Sequence, residues 1–226
     1  IVQDFLTHIE RERGFSSNTV TAYRHDLDKF MAYLVQYEQK SHSNFGKIDR
    51  KTIRHFLGKE FEEGHSSRTV ARRLASIKSF FRYLIMAEII QDNPAIHIKT
   101  PKIEKRIPTF VQINKIDELM DSPDTNTLTG LRDKAMLELF YATGIRLSEL
   151  VGLNIGSVNS SNDLVKVVGK GNKERIVPFG KPAKIALEAY LKKRGHNWSS
   201  QSDKPLFTGW KEKRISVRTV QKRIKI

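Results

Sequence analysis

The chain has 226 residues, enough for two modest domains or one large one, each able to bury a core. Forty Lys plus Arg stand against 25 Asp plus Glu, a net charge of +15. That surplus leaves either a solvated basic protein or a nucleic-acid binder, because Lys and Arg at phosphates release condensed counterions. The absence of cysteine excludes a disulfide framework and a Cys-type zinc site. No apolar run approaches the roughly 20 residues of a membrane span, and no free-standing basic amphipathic segment argues for a membrane surface.

The first hundred residues read as helices. Val2, Phe5, Leu6 and Ile9 recur at helical spacing until Gly14 stops them. Ser16, Ser17 and Asn18 offer N-caps to a second helix with Tyr23, Leu27, Phe30, Met31 and Leu34 inward. Asp49 caps a third helix, with Ile53, Phe56, Leu57 and Phe61 apolar, and Gly64 ends it. Ser66 or Ser67 opens a fourth, carrying Val70, Leu74, Ile77, Phe81 and Leu84. The expectation is a compact four-helix unit.

On the fourth helix, Arg68, Arg72, Lys78 and Arg82 fall on one side, away from the apolar stripe. Like charges so close repel one another unless something negative lies against them. The face is either solvated or laid on a DNA backbone, and Arg73 points elsewhere. Asn93-Pro94 is expected to end this helix, and Pro101 and Pro108 forbid another, while Lys99, Lys102, Lys105 and Arg106 make the run basic. This gives a helical domain over 1–97, a basic linker over 98–108 and a second domain over 109–226. Sixteen basic against 12 acidic residues through Lys99, and 24 against 13 beyond it, put most of the excess charge in the second part.

That second part is α+β. A short helix from Val111 to Met120, capped by Thr109, precedes a stronger one from Leu128 to Ala142 with Leu131, Ala135, Met136, Leu139 and Phe140 buried. Gly144 stops it, Arg146 follows, and Ser148 to Leu153 makes another turn or two. Leu164–Val168 and Glu174–Val177 are β-rich and joined by Gly169-Lys170-Gly171-Asn172-Lys173, whose glycines and asparagine suit a tight hairpin. Lys181 to Lys193 is helical, Leu206-Phe207 a short strand, and Ser216 to Lys225 the opening of a basic helix. Arg146 and Lys170 are two cations on separate, rigid elements, the pair needed to grip one phosphate and protonate its leaving group. The fold class is mostly α with a small antiparallel β-sheet.

The run LRDKAMLELFYATGIRLSELVGL, followed by VVGKGNKERIVPFG, resembles the tyrosine recombinase or phage integrase family, and within it the Xer-type enzymes that resolve chromosome dimers. SSNTVTAYRHDLDKF and SSRTVARRLASIKSFFRYL resemble that family's helical core-binding domain. The resemblance implies that Arg146 holds the scissile phosphate, that Lys170 protonates the departing 5′ oxygen, and that Glu149 braces the site by pairing with a basic neighbour. It also makes Lys173 and Arg175 phosphate contacts, and gives the face of Arg68, Arg72, Lys78 and Arg82 a duplex to lie on. No metal or other cofactor is implied, and no carboxylate cluster is visible in the sequence. The implied partner is a double-stranded recombination site, held by a homo- or heterotetramer with a paralogous recombinase on two duplexes. A DNA translocase is a further implied partner, and the setting is cytoplasmic, at the nucleoid.

The family's His-x-x-Arg motif and nucleophilic tyrosine have no match here. Tyr23, Tyr33, Tyr37, Tyr83, Tyr141 and Tyr190 all stand in the wrong context, and His196 in GHNW does not fit the motif. The sequence therefore reads as a C-terminally truncated recombinase, able to bind a half-site and unable alone to cleave it; the start at Ile1 rather than Met leaves room for a leading segment. Two other readings stay open, a DNA-binding regulator without chemistry and a basic RNA-binding protein.

Overall fold

The computed structural model describes residues 1–38, 45–104, 112–169, 171, 173–196, 198 and 202–224. The chain divides into two units, Ile1–Ile107 and Pro108–Ile226, each with its own apolar core. Among the described residues no helix is long and apolar enough to cross a membrane.

The first unit contains α1 (Val2–Arg11), α2 (Ser17–Glu38), α3 (Arg50–Glu62) and α4 (Ser67–Met86). Their starts follow the capping residues: Asp49 Oδ1 accepts the Thr52 amide at 2.8 Å, and Ser66 Oγ accepts the Thr69 amide at 3.3 Å. The apolar stripes meet in a core rich in phenylalanine, with Phe5 edge-on to Phe80 at 5.5 Å and Phe30 to Phe56 at 5.2 Å. Phe61, expected in the stripe of α3, is instead exposed.

Asn93-Pro94 does not end α4, which stops at Met86, where the chain turns through Glu88 at a positive φ. Asn93 serves instead to fold the following segment back: its Oδ1 accepts the Ala95 amide and its Nδ2 donates to the Lys78 carbonyl. Ala95 and Ile98 then join the first core, so the unit runs past the expected boundary at residue 97.

Polar side chains are also buried in this unit. Asp26 on α2 is fully buried and accepts from Arg72 and from Ser76 Oγ at 2.8 Å, while Arg73 Nε lies 3.8 Å away. Arg73 pairs in turn with Glu60 of α3, and both are buried. One chain of charges therefore binds α2, α3 and α4. Replacing Asp26 by Asn removes the buried carboxylate that Arg72 and Ser76 bond to, and a denaturant titration is expected to show the first unit weakened by about 1–3 kcal/mol. Unchanged stability would mean that the network contributes nothing net.

The second unit begins with α5 (Ile113–Asp121), whose N-cap is Gln112; the expected cap Thr109 and Val111 lie outside the described residues. There follow α6 (Leu128–Thr143), α7 (Leu147–Gly152), β1 (Val158–Asn159), β2 (Leu164–Val168), β3 (Glu174–Pro178), α8 (Lys181–Lys193) and α9 (Val217–Arg223). The strands form an antiparallel sheet in the order β1-β2-β3, with Val167 opposite Arg175. Val165 and Val167 turn inward onto a core shared with Leu139 of α6, Leu187 of α8 and Phe207. Strand β1 was not legible, since two residues leave no alternation to read. Leu206-Phe207 is not a strand; it is pinned by Leu206 N–H to the Leu153 carbonyl and by Ile215 N–H to the Phe207 carbonyl, between isolated bridges at Pro205 and Thr208.

Candidate functional site

Helix α6 ends because Gly144 adopts the left-handed conformation, with φ 59° and ψ 22°, and its amide still bonds back to Phe140. The chain reverses there, buries Ile145, and starts α7 with Arg146 as N-cap. Arginine is a poor choice for that position: it offers no acceptor to the free amides, and its charge faces the positive end of the helix. Local preference is overridden here, and such violations gather at functional sites.

The violation is tolerated because of Glu149, three residues on. Its buried carboxylate reaches back to accept the Arg146 amide at 2.7 Å, and its other oxygen accepts from Arg146 Nη1 at 3.1 Å. The same carboxylate takes both terminal nitrogens of Arg175 on β3, each at 2.8 Å. The Arg175 hydrogen bonds, more than any other contact, hold the Glu149 carboxyl down at about 2, despite burial that acts in the opposite direction. Arg175 is correspondingly held more firmly protonated by the same bonds. Arg146, with 72% of its side chain exposed, keeps most of its guanidinium free to meet a ligand.

The hairpin is built against this pair. Gly169 donates its amide to the Lys173 carbonyl at 2.8 Å, and a Cβ there would stand 3.2 Å from Glu149 Oε1 and 3.5 Å from Arg175 Nη1. A side chain there would press on the carboxylate, which would have to give by a few tenths of an ångström. Gly171 turns the tip with φ 74°. Lys170, between these two glycines, and Asn172 lie outside the described residues. Lys173 is exposed and has no side-chain partner among the described residues.

The structure thus brings Arg146, Glu149 and Arg175 together. Arg175 gives one N–H of each terminal nitrogen to Glu149, and its side chain stays 40% exposed. The face of α4 is partly engaged within its own unit. Arg72 is bonded to Asp26, and Lys78 Nζ donates to the Ile98 carbonyl at 2.7 Å, which leaves Arg68 and Arg82 exposed and without an ion pair among the described residues. The missed acids had a signal: Asp26 sits at helical spacing from Tyr23 and Phe30, an acid on an apolar stripe.

Outside this site, Glu60, Glu63 and His65 place ligand atoms within 4.8 Å of one another, a cluster not visible in the sequence. Glu60 is already committed to Arg73. Of the tyrosines, Tyr33 and Tyr190 are buried, and the Tyr190 hydroxyl is shared with Thr208 at 3.2 Å. Burial first, then nearby carboxylates, push the Tyr23 and Tyr83 hydroxyls up, away from activation. His196 is pushed down, first by burial and then by Arg194.

Because the Glu149 carboxyl titrates near 2 rather than at its ordinary 4.5, its contribution to stability is complete above about pH 4.5 and is lost as pH falls towards 2. The expected outcome is that acid unfolding of the second unit shifts to higher pH when the pair is uncoupled by Arg175→Gln. An unshifted acid transition would show that the pair does not hold Glu149 ionised.

The phage integrase family profile matches residues 109–226, and that of the phage integrase N-terminal SAM-like domain matches residues 2–88. Among curated relatives, tyrosine recombinase XerD of Staphylococcus haemolyticus is 39% identical over 191 residues, which cover 84% of this chain and 64% of the relative. Tyrosine recombinase XerC of Thermodesulfovibrio yellowstonii is 39% identical over 225 residues, covering 98% of this chain and 72% of the relative. The fold is similar to that of a lambda integrase dimer bound to a COC′ core site, with a TM-score of 0.71 at 15% identity over 98% of this chain and 78% of that one. It is equally similar to a lambda integrase tetramer bound to a Holliday junction, with a TM-score of 0.71 at 16% identity over 99% of this chain and 62% of that one.

Proposed function

The chain belongs to the phage integrase family, and from that premise we propose that it serves site-specific DNA recombination, cleaving and rejoining strands through a 3′-phosphotyrosyl link. The observation that carries this reading is the exposed Arg146 guanidinium, braced by a buried carboxylate at the turn between α6 and α7. A guanidinium so held is oriented before the ligand arrives, so that its fork can meet the non-bridging oxygens of one phosphate with little further ordering.

In the proposed reaction a tyrosine hydroxyl loses its proton to solvent as its oxygen attacks the phosphorus, the bond to the 5′ oxygen breaks, and Lys170 supplies the proton that this oxygen takes up. The link formed keeps the energy of the broken diester, so rejoining by a 5′-hydroxyl simply reverses the step. Arg146 stabilises the charge on the equatorial oxygens throughout. The nucleophile is assigned to none of the six tyrosines of this chain, and in the cleavage proposed above the part of this chain is to grip the DNA and present the two cations. Arg68, Arg82 and Lys173 add backbone contacts that carry no sequence information.

The Xer names of the relatives support chromosome-dimer resolution as the biological use, and the lambda integrase tetramer on a Holliday junction supports a four-protomer assembly on two duplexes. A paralogous recombinase as co-subunit, a DNA translocase as regulator and a cytoplasmic setting at the nucleoid complete the proposal.

The test uses the protein as the cell makes it, on a nicked half-site that traps the covalent product. Arg146→Ala is expected to lower cleavage by about 100-fold or more while duplex binding falls only modestly. Lys170→Ala is expected to lose cleavage of ordinary DNA and regain it when the 5′-bridging oxygen is replaced by sulfur, a leaving group that needs no proton. Arg146→Ala should not be rescued by sulfur. Wild-type cleavage by either variant would sink the assignment.

A further inference from the structure

Trp210 is 84% exposed, although burying so large an aromatic side chain is among the most favourable changes available to a chain. It stands on the tip of a small stapled loop. Beneath the tip, Gly209 N–H bonds to the Lys213 carbonyl at 2.8 Å, Thr208 bridges Arg214, and Ile215 N–H bonds to the Phe207 carbonyl at 3.0 Å. Phe207 and Ile215 are both buried in the second core. Above the staple, Lys211 and Glu212 are both held at positive φ, 52° and 56°. Two successive non-glycine residues in that region are strained, and such strain persists only where the surrounding structure imposes it.

The loop is also tied to the site already described. Arg214 Nη1 donates to the carbonyls of Val151 and Leu153 at 2.9 and 2.8 Å, and its Nη2 to Asn154 Oδ1. These acceptors lie at the end of α7, the six-residue helix that begins just after Arg146 and holds Glu149. The loop tip and the Arg146 turn are thus two attachments of one short, rigid element. Lys211 and Lys213 follow Trp210 in sequence with Glu212 between them; all three are exposed, and the two lysines have no ion pair among the described residues.

An uncovered aromatic side chain within three residues of two such lysines suits a polyanion with stackable rings rather than an apolar protein groove. The geometry points to Trp210 as a DNA contact of the unit that carries Arg146, its indole packing against a base or deoxyribose while Lys211 and Lys213 take nearby phosphates. This rests on the proposed function for its ligand and adds a non-ionic contact to a surface otherwise explained by charge.

The chain has two tryptophans, and the other, Trp198, packs against the second core. In Trp198→Phe protein the emission therefore reports Trp210 alone. A mixed-sequence DNA duplex added at low salt is expected to quench that emission along the same isotherm as fluorescence anisotropy of labelled DNA. Trp210→Ala is expected to weaken binding by about tenfold with the salt dependence of affinity unaltered, Trp210→Phe to recover part of the loss, and Lys211→Gln to lower the salt slope by about one. Binding with unchanged emission, and with Trp210→Ala affinity equal to wild type, overturns this inference and leaves the proposed function standing. Failure of the chain to bind duplex at all overturns both.

Discussion

One buried carboxylate organises the second unit. Glu149 accepts four hydrogen bonds from two arginines, one just before its own helix and one on a strand 26 residues later. Without it, Arg146 would be an unfavourable N-cap, and β3 would have no polar fastening to α7. With it, a turn and a hairpin become parts of one object, and Gly169 lets the backbone pass close over the pair.

The first unit uses the same device differently. Asp26 also gathers arginines, and although Arg72 reaches solvent, Asp26, Arg73 and Glu60 are buried and the pairs join three helices. There the charge serves packing, and buried pairs of this kind are costly to break rather than stabilising to make. In the second unit one guanidinium of the cluster stays 72% exposed, so the network ends at solvent and can accept an anionic ligand.

Most of the helices could be read from the sequence, because periodic apolar residues and their caps act over a few positions. Asp49, Ser66 and Ser216 cap where their types and places suggest. The arginine and glutamate motif was legible as a resemblance. What could not be read was which cations have partners. Arg72 meets Asp26 from 46 positions away, and Arg175 meets Glu149 across 26. Helical periodicity assigns a face and says nothing about contacts at that range. The two-residue strand β1 and the loop bearing Trp210 were missed for a related reason, since both are defined by tertiary staples and not by local pattern.

The central claim is that Glu149 and Arg175 act as a unit, and a double-mutant cycle measures it most directly. Denaturant unfolding of the second unit at neutral pH would be followed for wild type, Glu149→Gln, Arg175→Met and the pair combined. Strong non-additivity, a coupling of about 1–3 kcal/mol, is the predicted result. Losses that simply add would contradict the account, for the strand and the short helix would then be held together by something else.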